Sequence, residues 1–498
     1  MKRASGALLL LLVGAAAPSA AQGYRVRVDL RSQTARFRGV MLDSIPASDT
    51  VSTPGQGPTS PDGFAVLCGA SAAYCTFFRP GAIQRGSLLT GTTEATVWGV
   101  GMPGLRLHTA ARIGVDLGSN AWPGTTPALQ LVEGYAEYAA PRVTGRLGRQ
   151  IVMSRLGTQG FDGARVILRD QRRGLALESF LGSGLARGAL LPVTSPAVDP
   201  LNDFQPEKRQ IVFGAAASWQ QHVADVRAEY QREVDPRSDY FVSERVALVA
   251  SIRLPQALRL SGGADYDLAQ GWWGNADVAL EYLTRRIRAS LGARRYRPHF
   301  DLWTIWGAFS PVPYHAITVN AAVSASAQIE VRGRYEHYQF SPADVSTPLV
   351  AAEDRGWRWE LGGTITPRPG WMLDIGYRRE FGPGAAIAGL AGSVTYAPSR
   401  RLTITAIGSS MNRPLEFRFN EAAVRVYGVD AQVEAAPRLR VGVTATAYDQ
   451  EHRRPDAAAV DWNQVRASAR VIFEFGRGGD VRPVPPAIRM LPGGRSAR

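Results

Sequence analysis

The sequence predicts an all-β fold: a single transmembrane antiparallel up-and-down β-barrel of about 18–22 strands. Three observations predict it. In residues 356–381, GWRWELGGTITPRPGWMLDIGYRREF, steps of two put Trp357, Trp359, Leu361, Gly363 and Ile365 on one face, with Arg358, Glu360, Gly362, Thr364 and Thr366 on the other. Successive strand side chains point to opposite sides, so one face is oily and the other charged. After a Pro-Arg-Pro-Gly turn, Trp371, Leu373, Ile375 and Tyr377 stand against Met372, Asp374, Gly376 and Arg378. Hairpins of this kind recur along the chain behind an export leader, the second observation. The third is that nothing downstream of that leader supplies the roughly 18 successive apolar residues of a helical span, which leaves strands as the route through a bilayer.

The chain opens MKRASGALLLLLVGAAAPSAAQG, with basic Lys2 and Arg3, an apolar run over 7–17 and small residues ending at Ala21. This is the tripartite pattern of a secretory signal, so residues 1–21 are expected to be removed. The barrel is expected over 22–475. Its first strand alternates Tyr24, Val26, Val28 and Leu30 with Arg25, Arg27, Asp29 and Arg31. Ala35 and Phe37 then take over the apolar parity, which predicts a bulge before them. Pairing this early leaves no room for a plug domain ahead of the barrel.

Residues 42–92 read as the longest irregular tract, rich in Pro, Gly, Ser and Thr and holding both cysteines. In an exported chain, Cys68 and Cys75 predict a local disulfide. The tract is expected at the extracellular end, either folded over or into the mouth or standing as a stapled surface loop. From Ala95 onward tight turns recur, as at Met102-Pro103-Gly104, Leu254-Pro255-Gln256 and Pro367-Arg368-Pro369. They separate alternating runs of roughly ten residues, the length of a tilted strand that crosses a bilayer. Longer polar segments (192–207, 298–313, 450–461) alternate with these turns, and short turns on one side with long loops on the other mark bacterial barrels. In the last strand Val465, Ala467, Ala469, Val471, Phe473 and Phe475 share a face. It resembles the aromatic-ended strand by which outer-membrane barrels are recognised for insertion, although Phe475 is not terminal. Residues 476–498, Pro/Gly-rich and basic, are expected to form an extended or disordered periplasmic tail.

The net charge is +14 and the sequence pI about 10.1. A nucleic-acid partner is nevertheless not expected, because the basic residues are dispersed singly among strands rather than clustered. No metal or cofactor is expected: two cysteines without a nearby histidine do not complete a tetrahedral site, and no phosphate-cradling loop or cofactor fingerprint occurs. No catalytic residue is assigned. The histidines are isolated, and the nearest candidate, His337 beside Glu336 and near Asp344, has no partner that completes a hydrolase.

Residues 134–150, GYAEYAAPRVTGRLGRQ, followed by GFDGARV at 160–166, resemble a pattern found in large porin-like outer-membrane proteins, including the alginate-export and carbohydrate-selective types. The resemblance implies a wide pore for a polar solute. It does not carry a solute over.

The polar parity defines the expected pore lining: Arg25, Arg27, Glu133, Glu137, Arg146, Arg165, Arg169, Arg227, Glu229, Arg288, Arg294, Glu330, Arg332, Arg334, Arg358, Glu360, Asp374, Arg378, Asp430, Arg440, Arg466 and Arg470. An arginine on the lipid face near mid-bilayer costs about 2–4 kcal/mol, which forces these groups inward. Two readings stand: an arginine-biased passage favouring anions, or cross-strand salt-bridge ladders that merely fill the interior. The function expected is a porin-like channel of the bacterial outer membrane for small polar, anionic solutes. The alternative is a non-conducting or export-associated outer-membrane barrel serving secretion or surface interaction. The expected partners are outer-membrane lipid, the barrel-assembly machinery at the last strand and the solutes themselves.

Overall fold

The computed structural model describes residues 22–51, 58–64, 66–69, 72–118, 129–185, 210–234, 241–297, 313–341, 354–382, 385–412, 422–452 and 462–477. The signal segment, the tail beyond Arg477 and most of the long connections lie outside these residues. The chain begins with β1 (Gly23–Pro46), β2 (Leu67–Cys68), β3 (Tyr74–Trp98), β4 (Leu105–Asp116), β5 (Leu129–Ala139), β6 (Val143–Ser154), β7 (Gly157–Asp170) and β8 (Leu175–Gly184). It continues with β9 (Ile211–Gln220), β10 (Ala224–Val234), β11 (Phe241–Leu254), β12 (Leu258–Asp267), β13 (Trp272–Leu283), β14 (Ile287–Tyr296), β15 (Tyr314–Ser324) and β16 (Ile329–Phe340). It ends with β17 (Arg355–Ile365), β18 (Trp371–Gly382), β19 (Ala385–Ser399), β20 (Leu402–Asn412), β21 (Ala422–Ala436), β22 (Leu439–His452) and β23 (Trp462–Arg477).

Apart from the stub β2, which pairs only with β3, each strand is antiparallel to its sequence neighbours, and β1 closes on β23 from Tyr24↔Arg477 to Ala35↔Arg466. The result is a closed 22-strand barrel. Among the described residues the only helical element is the 3-10 turn Ala47–Asp49, and no helix is long and apolar enough to cross a membrane.

The two faces of the wall differ as the parity argument requires. Leu147, Leu361, Ile317 and Ile375 are 67%, 56%, 56% and 55% exposed, whereas Glu336 and Gln150 are 0% exposed. Which face is inside follows from pairs that skip a strand. Arg294 of β14 reaches Glu336 of β16 at 2.6 Å, and Arg332 of β16 reaches Asp374 of β18 at 2.7 Å. Strands two apart are separated by about 9–10 Å, and their side chains converge only on the concave side of a cylinder. The charged face is therefore the interior. The exterior is a continuous apolar belt with aromatic contacts such as Trp359–Tyr377 (5.3 Å) and Trp371–Tyr396 (4.4 Å). Such a surface is stable in lipid and not in water.

Three expectations need correction. The tract 42–92 is not irregular throughout: β1 runs to Pro46 and β3 starts at Tyr74, so the connection shrinks to 47–73. The extra length pairs β1 only with β3, since β1–β23 pairing ends at Ala35 and β3–β4 pairing begins at Leu88. On the arm the apolar side chains, Cys75 and Phe77 with Ile45, Phe64 and Val66, pack on one another in a short cluster, so the long lipid-facing alternation that would reveal its strands is missing. The bulge also moves, because pairing is unbroken to Arg38 and the register shifts between Arg38 and Val40. Ala35 simply sits on the interior face, 1% exposed. Finally, β23 extends to Arg477, two residues past the expected end.

A disulfide joins Cys68 of β2 to Cys75 of β3 on this arm. Because β2 pairs only with the outer end of β3, beyond the β3–β4 ladder, Cys68→Ser is expected to leave barrel unfolding unchanged while speeding proteolytic cleavage between Pro58 and Ala73. Limited proteolysis followed by mass spectrometry reads both outcomes.

Candidate functional site

The β6–β7 hairpin turns into the barrel. Pairing of β6 with β5 stops at Gly134↔Arg149, and the β7–β8 ladder begins at Phe161↔Gly184 with the Leu185 N–H donating to the Gly160 carbonyl at 2.8 Å, so residues 150–159 belong to neither wall. The departure point is Gly148, at φ +128°, where a Cβ would stand 2.3 Å from the Gly134 carbonyl oxygen. Only glycine fits there. Arg149 covers the shoulder, bonding both Asp162 oxygens at 2.7 and 2.9 Å and donating to the Leu131 carbonyl at 3.0 Å, on the β5 edge left bare.

Inside, the hairpin is fixed at two places. Its base packs Val152 and Phe161 on Phe180 of β8 and Val212 of β9, a dry cluster with the two rings 5.1 Å apart. Its tip reaches the wall three to six strands further on, at β10, β12 and β13. The Arg155 backbone N–H donates to Glu229 of β10 at 3.0 Å, and its guanidinium donates to the carbonyls of Gly263 (2.8 Å) and Asn275 (3.1 Å) and to Asp277 (2.6 Å). Asp265 lies 3.7 Å from its Nε. A Cβ on Gly263 would come within 2.7 Å of the guanidinium, so this glycine is the slot that admits Arg155.

Most of the residues expected to line a pore are tied to a partner, several of them in the strand-skipping pairs that mark the interior face. Glu336 collects three guanidinia: Arg294 and Arg358 at 2.6 Å and Arg334 at 3.0 Å. Around it, Arg288 pairs with Glu330 at 2.5 Å, and Arg332 grips both Asp374 oxygens at 2.7 and 2.8 Å. Glu360 stands opposite Arg378 in register. A second group has Arg165 and Arg227 sharing Glu178 (2.8 and 3.2 Å), with Arg227 also on Glu229 (2.5 Å). Arg146 reaches Glu137 at 2.6 Å, Glu133 faces His108 at 3.7 Å, and Arg169 donates to the Thr144 hydroxyl at 2.6 Å. At the seam, Arg25 and Arg27 share Glu474 (2.7 and 3.7 Å), Arg466 donates to Gln464 at 2.6 Å, and Arg470 pairs with Asp29. Asp430 accepts from Thr444 at 2.6 Å, and Arg440 faces Glu434 in register.

One pairing in the sequence does not form. His337 and Glu336 are adjacent and therefore point to opposite faces, His337 outward between Ile317 and Trp357 in register and Glu336 inward. Asp344 lies outside the described residues. Arg155, Asp265 and Asp277 escape sequence reasoning, because a two-residue turn at the end where connections are long gives no sign that it enters the lumen. The signal that could have found the hairpin is the apolar pair Val152 and Phe161 beside Gly148. Among the described residues no group of three or more His, Cys, Asp or Glu side chains is placed to hold a metal.

No family model and no curated protein matches the chain. Solved structures do resemble it. OccK11 of Pseudomonas aeruginosa is 10% identical, with 91% of this chain and 96% of that one covered and a TM-score of 0.39. For OccK1 of Pseudomonas aeruginosa the values are 11%, 91%, 99% and 0.39, and for the copper transporter OprC 11%, 90%, 80% and 0.45.

Proposed function

We propose that the protein is a passive channel of the bacterial outer membrane for small polar solutes with a preference for anions. The observation that carries this reading is the Glu336 cluster. Three guanidinia crowd that carboxylate, with Glu360 and Glu380 in register with Arg334 and Arg358, and Arg334, its side chain 47% exposed, turns its charge to the interior. Exposed guanidinia in a pore attract carboxylate and phosphate solutes. Reconstituted protein in planar bilayers is expected to show a stable current whose reversal potential in a salt gradient has the sign of anion preference. Arg334→Glu, on the exposed member of the cluster, is expected to lower or reverse that preference without loss of folded protein; an unchanged reversal potential rejects the assignment. Glu336→Gln is expected to strengthen anion preference and to cost about 2 kcal/mol of stability, because three guanidinia lose their shared acceptor.

The crossing hairpin supports a second reading, a barrel held shut. Persistent electrical silence of the full chain, with current appearing only when the hairpin is cut back, would favour it.

A further inference from the structure

A groove of about 770 Å³ runs along the outer wall across β11–β16. Its volume is that of a ligand site, typically roughly 300–1,000 Å³, and it sits on the face turned to lipid. The groove exists because small residues meet there in register. Ala264 lies opposite Ala276, Ala250 opposite Gly262, and Val278 opposite Ala293, between the taller Leu248, Ile252, Leu260 and Ile317.

Its chemistry changes toward β15 and β16. Ala276 is in register with Arg295, Arg295 with His315, and Ile317 with His337. These three are the ionisable side chains of the lining that share the outward parity; Asp277 and Arg294, whose backbone also borders the groove, point inward. The Arg295 Nε is buried and has no hydrogen-bond partner. The nearest outward neighbour with a carboxylate partner is Gln339, which bonds Asp354 at 2.9 Å, and that acid also sits 3.7 Å from Arg355. All three basic residues lie toward the strand ends that carry the long connections, the extracellular side of such barrels.

We propose that this groove binds an anionic, phosphate-bearing lipid of the outer leaflet, an acyl chain lying over the Ala/Gly floor and the phosphate held by Arg295, His315 and His337. An arginine on the lipid face costs up to about 1 kcal/mol even near the interface, and a headgroup phosphate offsets that cost. Basic pockets of membrane proteins take anionic headgroups on the same electrostatic ground. The site is independent of the solute path, since its side chains point away from the interior.

The test uses the purified full chain in a neutral detergent, with phosphatidylglycerol, phosphatidylcholine and inorganic phosphate as probes. Native mass spectrometry and thermal unfolding are expected to show retained phosphatidylglycerol and a raised midpoint, with phosphatidylcholine retained far more weakly. Arg295→Glu removes one positive charge and adds a negative one, which is expected to weaken phosphatidylglycerol binding at least about tenfold. Ala264→Phe, which fills the floor without touching charge, is expected to weaken it comparably. Conductance of both variants stays at the wild-type level. Stabilisation by inorganic phosphate equal to that by phosphatidylglycerol would mean a free-anion site and overturn the proposal. So would binding that survives either variant, or equal retention of the two lipids.

Discussion

Cutting back the β6–β7 hairpin, by replacing residues 153–158 with Gly-Gly, is expected to raise single-channel conductance several-fold while the barrel still folds. The expectation follows from where the hairpin is held. Residues 153–158 make no ladder hydrogen bonds to β5 or β8, so their loss breaks none of the wall. What is lost is an inward projection anchored by Arg155 on Glu229 of β10, Gly263 of β12 and Asn275 and Asp277 of β13, three to six strands along the wall from β7. Gly263→Val offers a finer version. A side chain there occupies the space of the Arg155 guanidinium and should release the tip without shortening it, seen as current noise and substates rather than as a uniformly larger current. If the shortened hairpin conducts no more than the intact one, the hairpin does not limit flow.

Leu361→Arg is expected to lower barrel stability by about 2–4 kcal/mol, the price of a guanidinium in mid-bilayer, whereas Glu360→Arg one position away should change it by about 1 kcal/mol or less. Leu361 is 56% exposed on the outer face near the middle of β17, in register with Gly333 and Tyr377, where hydrocarbon would surround a side chain. Glu360 faces inward opposite Arg378, where a second arginine meets like charge but keeps water. Urea unfolding in lipid vesicles measures both. Equal losses at the two positions would mean that the outer surface is not in hydrocarbon.

Most of the barrel was legible in the sequence because lipid enforces a rule at every second residue. Trp357, Leu361 and Ile375 against Arg358, Glu360 and Asp374 can be arranged in only one way around a closed wall. Where no such rule acts, the sequence is silent. The outer part of the β1–β3 arm is two strands whose apolar residues close on a small cluster of their own, Phe77 with Phe64 and Val66, and its Pro, Gly, Ser and Thr content reads as loop. The inward hairpin is harder still. Its alternation is the same whether it lines the wall or leaves it, and only the register, ending at Arg149 and resuming at Phe161, separates the two. The charged lining was readable as a parity set, but not which arginines would crowd one carboxylate, since Arg294, Arg334 and Arg358 come from three strands.

The seam between β1 and β23 joins residues more than 400 positions apart, as in the Arg25–Glu474 pair. Until the last strand emerges, the first has only one of its two hydrogen-bonding edges satisfied. No shortened chain can therefore close on the native seam, and contacts of such sequence separation form slowly. The polypeptide must travel to its membrane as an open intermediate, with two raw edges to be shielded, and assembly becomes a single event decided at the carboxyl end.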